Sequence, residues 1–281
     1  MNEIIQQRLD RYAVANAQEE EHALKEIIQE IALYALWRVR FFEVAAFQGG
    51  TSLRILHHLP RFSEDLDFIL LEPLADFAWP DYLQKLLEVF AEFGIQSEVS
   101  PQGQMDKAIR TAIIKDSSIV NQLNLSFYKG PPGRKLKVKL EIDINPPAGS
   151  GYDHTYLDFP TDFEVCHQDL KSNFALKLHA LLCRNYIKGR DWFDFNWYIK
   201  QRVAPNLELL NNALIQSGPW VGLNELKIDL PWLKAALLEK IKEIDWRQAA
   251  KDVAPFLSYA EQQSLELWSS RFFSGRMAKL T

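Results

Sequence analysis

The amino-acid sequence predicts an α+β fold, in which a lobe built on a mixed β-sheet is followed by a helical lobe. Strand-like segments concentrate before residue 145, where short apolar runs alternate with polar residues and glycine turns. From Asp169 onward, apolar residues recur at helical spacing instead. A segment rich in proline, glycine and tyrosine, residues 146–160, separates the two patterns. We therefore expect one domain over residues 1–150 and a helical domain over residues 151–281.

The N-terminal lobe is expected to begin with helices. Residues 3–42 show helical spacing of apolar side chains, carried by Ile27, Ile28, Ile31, Leu33, Tyr34 and Leu36. The expected order after them is a strand at 44–47, a glycine turn, a helix at 52–58, a strand at 66–71 and a helix at 81–93 that stops at Gly94. Further strands are expected at 109–114, 120–128 and 136–144, with a turn at 129–134. The helical lobe should contain helices at 171–187, 191–200, 207–216, 231–241 and 260–272.

The composition is that of an ordinary globular protein. The chain has 281 residues, 47% of them hydrophobic, which is enough for a substantial core. Its formal net charge of −5 excludes a globally basic nucleic-acid-binding protein, although not a local basic patch. Two cysteines are too few for a disulfide scaffold or a cysteine-rich zinc site. The chain shows neither a secretory signal nor an apolar run of the roughly 18–20 residues that span a bilayer, so we expect a cytoplasmic protein with no membrane partner.

An alternating carboxylate pair is the strongest chemical signal in the chain. Asp65 and Asp67 lie in an otherwise apolar strand, and alternate strand residues point to the same face. Exposed, such a pair would be solvated charge; half-buried, it needs compensation, and a metal ion is one efficient partner. We interpret Asp65 and Asp67 as ligands of Mg²⁺.

A glycine turn precedes this pair. Gly49 and Gly50 open a short helix, where backbone N–H groups can approach phosphates, and Thr51 or Ser52 could add a hydroxyl donor. The segment is not a Walker A loop, because no Gly-Lys-Ser/Thr follows, and a simple tight turn is the alternative.

Three other polar residues lie close to the pair in sequence. Arg54 and Arg61 could contact a triphosphate or form surface ion pairs. Ser63 could share the active face or close the turn before the strand.

A second alternating strand supplies a candidate third carboxylate. Glu141 and Asp143 share one face of the strand at 136–144. Either could complete a metal site or act as the base for an attacking hydroxyl, and the sequence does not decide between them. The alternative is a charged outer face of an amphipathic strand.

The helical half contains the last constellation. Lys177 and Arg184 share one side of a helix, and Lys177 could snorkel to solvent or neutralise a phosphate. Asp191 lies near the start of the next helix, where it could simply cap free N–H groups, and Asp194 follows on nearly the same side.

Basic residues also gather on the strand at 136–144 and in the helical half. Lys135, Lys137 and Lys139 share one strand face, and Lys171, Lys188 and Arg190 accompany Lys177 and Arg184. They could face an RNA. The lysine strand could instead be a solubilising edge that resists strand pairing.

These motifs, in this order, resemble the AbiEii/AbiGii toxin family of nucleotidyltransferases, within the DNA polymerase β-like superfamily. The resemblance covers about residues 19–198 and implies a nucleotidyltransferase-like sheet lobe whose active-site cleft is completed by the helical lobe. By position, Gly49, Gly50 and Thr51 match the phosphate turn and Asp65 and Asp67 the metal ligands. Lys177 and Asp191 match the later motifs, and Ser63 matches a serine near the site.

The resemblance also implies an activity and partners. The protein would move a nucleotide from an NTP to an acceptor hydroxyl with Mg²⁺, with Asp65, Asp67, Lys177, Asp191 and Glu141 or Asp143 as catalytic residues. Similar proteins are toxins of toxin–antitoxin or abortive-infection systems, and some modify the 3′ end of tRNA. NTP, a tRNA acceptor and a cognate antitoxin are therefore the expected partners. The alternatives are kinase-like phosphoryl transfer and a non-catalytic nucleotide-binding module.

Overall fold

The computed structural model describes residues 2–102, 108–116, 118–128, 135–222 and 228–281. The strands are β1 (Ala45–Gln48), β2 (Asp65–Leu70), β3 (Ser97–Gln102), β4 (Ile109–Asp116), β5 (Leu136–Asp143), β6 (Tyr152–Leu157) and β7 (Phe163–Gln168). The helices of the first half are α1 (Asn2–Leu9), α2 (Ala17–Arg38), α3 (Gly49–His57) and α4 (Pro80–Glu92). Those of the second half are α5 (Leu170–Cys183), α6 (Gly189–Lys200), α7 (Leu207–Gln216), α8 (Leu230–Glu243), α9 (Trp246–Val253), α10 (Tyr259–Gln263) and α11 (Ser270–Met277).

The strands form one mixed sheet in the order β3-β4-β5-β2-β1-β7-β6. β2 lies at its centre, antiparallel to β1 and parallel to β5, and β1 is parallel to β7. This arrangement confirms the predicted α+β class with a mixed sheet. The strand that carries the carboxylate pair is thus held by hydrogen bonds along both of its sides.

Contacts between Cα atoms divide the chain into two compact units. The first unit comprises Met1–His58, Phe62–Pro146 and His154–His167, and the second comprises Leu59–Arg61, Pro147–Asp153 and Gln168–Thr281. The division is not a single cut near residue 150, because β7 returns to the sheet beside β1. The short piece Leu59–Arg61 belongs to the second unit although it precedes β2 in sequence.

The core of the first unit is built on α2. Its apolar stripe is fully buried at Ile27, Ile31 and Leu36, as the helical spacing predicted. α2 contacts β5 and α4. It also carries a buried glutamine, Gln29, whose Nε2 donates to the carbonyl oxygens of Ser63 (2.9 Å) and Glu64 (2.8 Å). The helix therefore fixes the backbone that leads directly into β2.

One strand prediction in the middle of the chain is wrong. Residues 120–128 are not a strand, because their backbone N–H groups bond elsewhere. Glu20 of α2 accepts hydrogen bonds from the N–H groups of Ser126 and Phe127, each at 2.8 Å, and from that of Tyr128. The carboxylate of Glu20 thus accepts the backbone hydrogen bonds that a neighbouring strand would otherwise accept. The predicted turn at 129–134 lies outside the described residues.

The segment predicted to be irregular contains β6, and β7 follows it. β6 is the outer strand of the sheet and is largely polar and exposed, so it lacks the apolar alternation that predicts a strand. β5 was correctly predicted as a strand, but its position in the sheet differs from one interpretation of its lysines. It lies between β4 and β2, so the interpretation of its lysines as a protective sheet edge is wrong.

The second unit is helical, as expected from Asp169 onward. α5 is capped by Asp169, whose Oδ1 accepts from the N–H of Ser172 at 2.7 Å, and it packs against α6, α7 and α8. α6 packs against α9 and α11, where Trp246 stacks on Phe273 at a centroid distance of 4.1 Å. The single helix predicted at 260–272 is wrong, because α10 and α11 are separate. None of the helices in the described ranges has the length and apolar character needed to cross a bilayer.

Candidate active site

The carboxylate pair lies on the polar face of β2. Asp65 and Asp67 are half-buried, whereas Leu66 and Phe68, which point to the opposite face, are buried in the core. The pair is therefore carried by a rigid central strand. Its orientation is set by the apolar residues between and beside the two carboxylates.

The glycine turn lies directly against Asp67. Gly49 begins α3 with a positive φ of +76°, and a Cβ built at this position would come 2.6 Å from Oδ2 of Asp67. A side chain at position 49 would therefore displace the carboxylate. This contact places the start of α3 beside the metal-ligand candidate, as the sequence motif predicted.

The hydroxyls of the turn are engaged within the fold. Thr51 Oγ1 donates to the carbonyl oxygen of Asp65, and Ser52 Oγ donates to that of Gly49 at 2.9 Å. Both residues are almost completely buried. Thr51 ties α3 to β2 and Ser52 closes the first turn of α3, so both position the site.

The register of the sheet distinguishes the two candidates for the third carboxylate. Glu141 of β5 is the register partner of Asp67, and paired residues of parallel strands point to the same face. Asp143 pairs instead with Ile69, and its Oδ1 accepts a hydrogen bond from the N–H of Asn145 at 2.9 Å. Burial raises the pKa of Asp143, against the lowering effect of that hydrogen bond. The geometry favours Glu141.

A lysine lies among these carboxylates. Lys139 is the register partner of Asp65, and its Nζ lies 2.6 Å from Oε1 of Glu141. Burial disfavours the ammonium, but the hydrogen bond that it donates to Glu141 and the charges of Glu141, Asp65 and Asp67 outweigh this effect and raise the pKa of Lys139. The sequence showed Lys139 only as part of a basic strand face. The available signal was that Lys139 and Glu141 are two residues apart in the same strand, so their side chains point to the same face.

The donor set fits a magnesium ion. Among the described residues, no group of three or more His, Cys, Asp or Glu side chains is arranged to hold a metal ion. Mg²⁺ is commonly bound by one or two carboxylates together with water and substrate phosphates, and its preferred ligands are oxygen atoms. Asp65 and Asp67 supply two such carboxylates, and Glu141 is at present turned to Lys139.

The cationic candidates nearest the pair in sequence have other partners. Arg54 Nε donates to Oε2 of Glu26 at 2.8 Å. Arg61 belongs to the second unit, where Nε and Nη2 donate to the two carboxylate oxygens of Asp194 at 2.6 and 2.7 Å. Since the Arg61 side chain is only 2% exposed, the alternative of a surface ion pair is wrong for Arg61. Ser63 is buried in the first unit at the entry to β2.

The second unit brings together the residues of the later motifs. Lys177 Nζ lies 2.8 Å from Asp191 and 2.9 Å from Asp194, and Arg184 Nη1 lies 2.6 Å from the second oxygen of Asp191. α6 begins at Gly189, so Asp191 lies inside the first turn. Its carboxylate binds Lys177 and Arg184. These partners contradict the alternative in which Asp191 only caps the helix.

Charge balance governs this buried cluster. Burial opposes ionisation of Asp191, but Lys177, Arg184 and Lys188 outweigh it and lower its pKa to about 2. Burial likewise opposes the charge of Lys177, and Asp191 and Asp194 outweigh it and raise the pKa of Lys177. Both members of the pair therefore stay charged at neutral pH.

Comparisons with known proteins agree with this arrangement of motifs. The model of the family described as nucleotidyl transferase AbiEii toxin, type IV toxin–antitoxin system, matches residues 31–269. MenT4, a nucleotidyltransferase toxin from Mycobacterium tuberculosis H37Rv, is similar in structure with a TM-score of 0.52 and 16% identity, over 99% of this chain and 89% of that one. A putative nucleotidyltransferase from H. pylori has a TM-score of 0.50 and 17% identity, over 91% of this chain and 95% of that one.

A third solved structure, JHP933 from Helicobacter pylori, has a TM-score of 0.50 and 16% identity, over 92% of this chain and 88% of its own. At these identities the structural likeness shows the fold, which is nucleotidyltransferase-like, as the resemblance implied. No curated protein matches the chain. The family model covers well over half of the sequence and confirms the predicted family. The chain is therefore a nucleotidyltransferase that belongs to the AbiEii toxin family of type IV toxin–antitoxin systems.

Proposed function

We propose that the protein transfers a nucleotide from an NTP to a hydroxyl of an RNA acceptor, the 3′ end of a tRNA, in a reaction that depends on Mg²⁺. The observation that carries the proposal is the register of β2 and β5, which puts Glu141 beside Asp67 on the face that also carries Asp65. The family supports the class of reaction. Its place in toxin–antitoxin systems supports a cognate antitoxin as a further partner.

The chemistry is an in-line substitution at the α-phosphorus of the NTP. The acceptor oxygen forms the new P–O bond, the bond between the α-phosphorus and the bridging oxygen breaks, and pyrophosphate leaves. When bound, Mg²⁺ would stabilise the charge that develops on the phosphoryl oxygens and on pyrophosphate. Asp65 and Asp67 would hold the ion.

The remaining residues of the first unit orient the metal-binding carboxylates and balance their charge. Gly49 leaves room for the Asp67 carboxylate, and Thr51 and Ser52 keep the start of α3 in place. Glu141 accepts the proton of the acceptor hydroxyl once Lys139 has moved away from it. Lys139 balances the charge of the carboxylates until then, as its 2.6 Å contact with Glu141 indicates.

In the buried cluster of the second unit, Lys177 and Asp191 have complementary roles. Lys177 is assigned to the triphosphate, as its place in the family motif implies. Asp191 and Asp194 hold its ammonium at 2.8 and 2.9 Å, so Asp191 orients Lys177 and keeps it charged. Arg61 keeps Asp194 ionised.

The test uses each NTP in turn, labelled at the α- or the γ-phosphate, with total RNA and with Mg²⁺ or a chelator. Transfer of the α-label to RNA, dependent on Mg²⁺, is the expected result. Transfer of the γ-label to the protein itself would instead establish kinase-like phosphoryl transfer. An absence of any transfer, with metal-dependent NTP binding retained, would point to a nucleotide-binding module.

A further inference from the structure

A cavity in the second unit lies next to the buried charge cluster and is lined by cations. Its volume is about 310 Å³, at the small end of ligand-binding pockets and suited to one nucleotide. The loop after α5, the start of α6 and the last turn of α8 form its walls. Its charged lining residues are Arg184, Lys188, Asp191, Lys240 and Glu243.

Two of the cations have no carboxylate partner in the described part of the chain. Arg184 is bound to Asp191 at 2.6 Å, whereas neither Lys188 nor Lys240 forms an ion pair there. Burial and the nearby charges of Lys177, Arg184 and Arg190 lower the pKa of Lys188, against the attraction of Asp191. Two half-buried ammonium groups without carboxylate partners make this cavity a place where an anion gains favourable interactions.

An aromatic ring lies at the same cavity. Tyr186 is 65% exposed, and the guanidinium of Arg184 lies 5.5 Å from its ring centroid. Exposed aromatic rings beside cations provide the stacking surfaces on which single-stranded nucleic acids place their bases.

We propose that this cavity binds one phosphodiester and the adjoining base of a single-stranded RNA acceptor. Lys188 and Lys240 contact the phosphate and Tyr186 stacks on the base. The charge of the site favours this ligand over a triphosphate, because Asp191 and Glu243 also line the cavity and offset part of the positive charge. The inference rests on the proposed function, since it names how that reaction's acceptor is held.

The test measures binding of a fluorescein-labelled single-stranded RNA by fluorescence anisotropy, with the full chain, between about 50 and 200 mM salt. Lys188→Gln and Lys240→Ala should each weaken binding by about threefold or more and reduce the slope of log K against log salt by about 0.7. Tyr186→Ala should weaken binding by about tenfold with the slope unchanged, because stacking involves no phosphate neutralisation.

Lys242→Ala is the matched control. Lys242 follows Lys240 by two residues in α8 and does not line the cavity. Its side chain is 59% exposed and forms an ion pair with Glu239 at 2.7 Å. This variant should bind RNA like the parent with the parent's salt slope. Lys240→Glu, at a half-buried surface position, gives a second readout if Lys188→Gln lowers the melting temperature, and it should weaken binding more than Lys240→Ala.

A parallel titration with NTP and Mg²⁺ separates the two possible sources of phosphate. We expect the cavity variants to bind NTP like the parent. A loss of NTP affinity without a loss of RNA affinity, or RNA binding equal to that of Lys242→Ala, would overturn the assignment of the cavity. A parent protein whose RNA binding depends on the cavity but which transfers no nucleotide would overturn the proposed function instead.

Discussion

The backbone of α3 at Gly49 approaches the carboxylate of Asp67 so closely that a Cβ at position 49 would come 2.6 Å from Oδ2. The glycine of the turn and the aspartate of the strand are therefore parts of one structural unit. Their closeness explains why the two sequence motifs occur together. It also makes the orientation of Asp67 sensitive to a single methyl group.

Gly49→Ala should lower the rate of nucleotide transfer by about tenfold or more, because the added methyl group displaces Asp67 and a misplaced catalytic group is costly. Labelling of RNA by an α-labelled NTP measures this effect. Gly149→Ala is the control, because it has a φ of +100° with only ordinary contacts to a Cβ, at 3.7 Å or more. It carries the same kind of backbone strain without touching Asp67. Equal activity losses in the two variants would show that strain alone is responsible.

Lys139→Met should strengthen Mg²⁺ binding by about tenfold, because the variant lacks an ammonium that interacts with Glu141, Asp65 and Asp67 and competes with the metal ion for them. The rise in melting temperature on titration with Mg²⁺ reports this affinity. Lys137→Met, on the same face of β5 but exposed, should leave the Mg²⁺ response unchanged. Identical responses of the two variants would contradict the role given to Lys139.

Arg61→Ala should destabilise the protein by about 3 kcal/mol, because it leaves the carboxylate of Asp194 buried with one of its two cations missing. Lys177 remains close to Asp194, which keeps the effect at the lower end of the range for a broken buried pair. The free energy of unfolding from urea titration is the measurement. The exposed pair of Arg40 and Glu43 provides the control, since Arg40→Ala should change stability by less than about 1 kcal/mol. Similar losses in both variants would contradict the account.

Asp191→Asn should weaken the decrease in the free energy of unfolding as the pH falls below 3.8. The pKa of Asp191 is lowered to about 2 in the folded protein, below its ordinary value of 3.8. Its ionisation therefore stabilises the fold fully above pH 3.8, and this contribution is lost as the pH falls through about 2. Urea unfolding of the parent and the variant across this pH window measures the difference. An asparagine variant that kept the parent's slope would refute the assignment.

Sequence periodicity and motif order were sufficient for the class of fold and for the central features of the first unit. The carboxylate pair, the glycine turn and the strand of Glu141 were visible because each follows a local spacing. Residues 120–128 were misassigned because their backbone partners are the carboxylate oxygens of Glu20, more than one hundred positions away. A local pattern contains no information about such a partner.

The same limit applies to the ionic groups. Arg61 and Asp194 are 133 residues apart, so neither the burial of Arg61 nor its pairing follows from its neighbours in sequence. The choice between Glu141 and Asp143 depended on the register between β2 and β5, which the alternation of either strand alone does not fix. Lys240 carried no motif, and its place at the cavity comes from the packing of α8.

The most direct test of the central claim compares three conservative variants in the labelling of RNA by an α-labelled NTP with Mg²⁺. Asp65→Asn and Asp67→Asn should each lower transfer by about 100-fold or more while the protein stays folded, because the amide oxygen carries no charge for the metal. Asp143 shares a face of β5 with Glu141 but is the register partner of Ile69, so Asp143→Asn should retain most of the activity. A folded Asp67→Asn variant that labels RNA at the parent's rate would contradict the account.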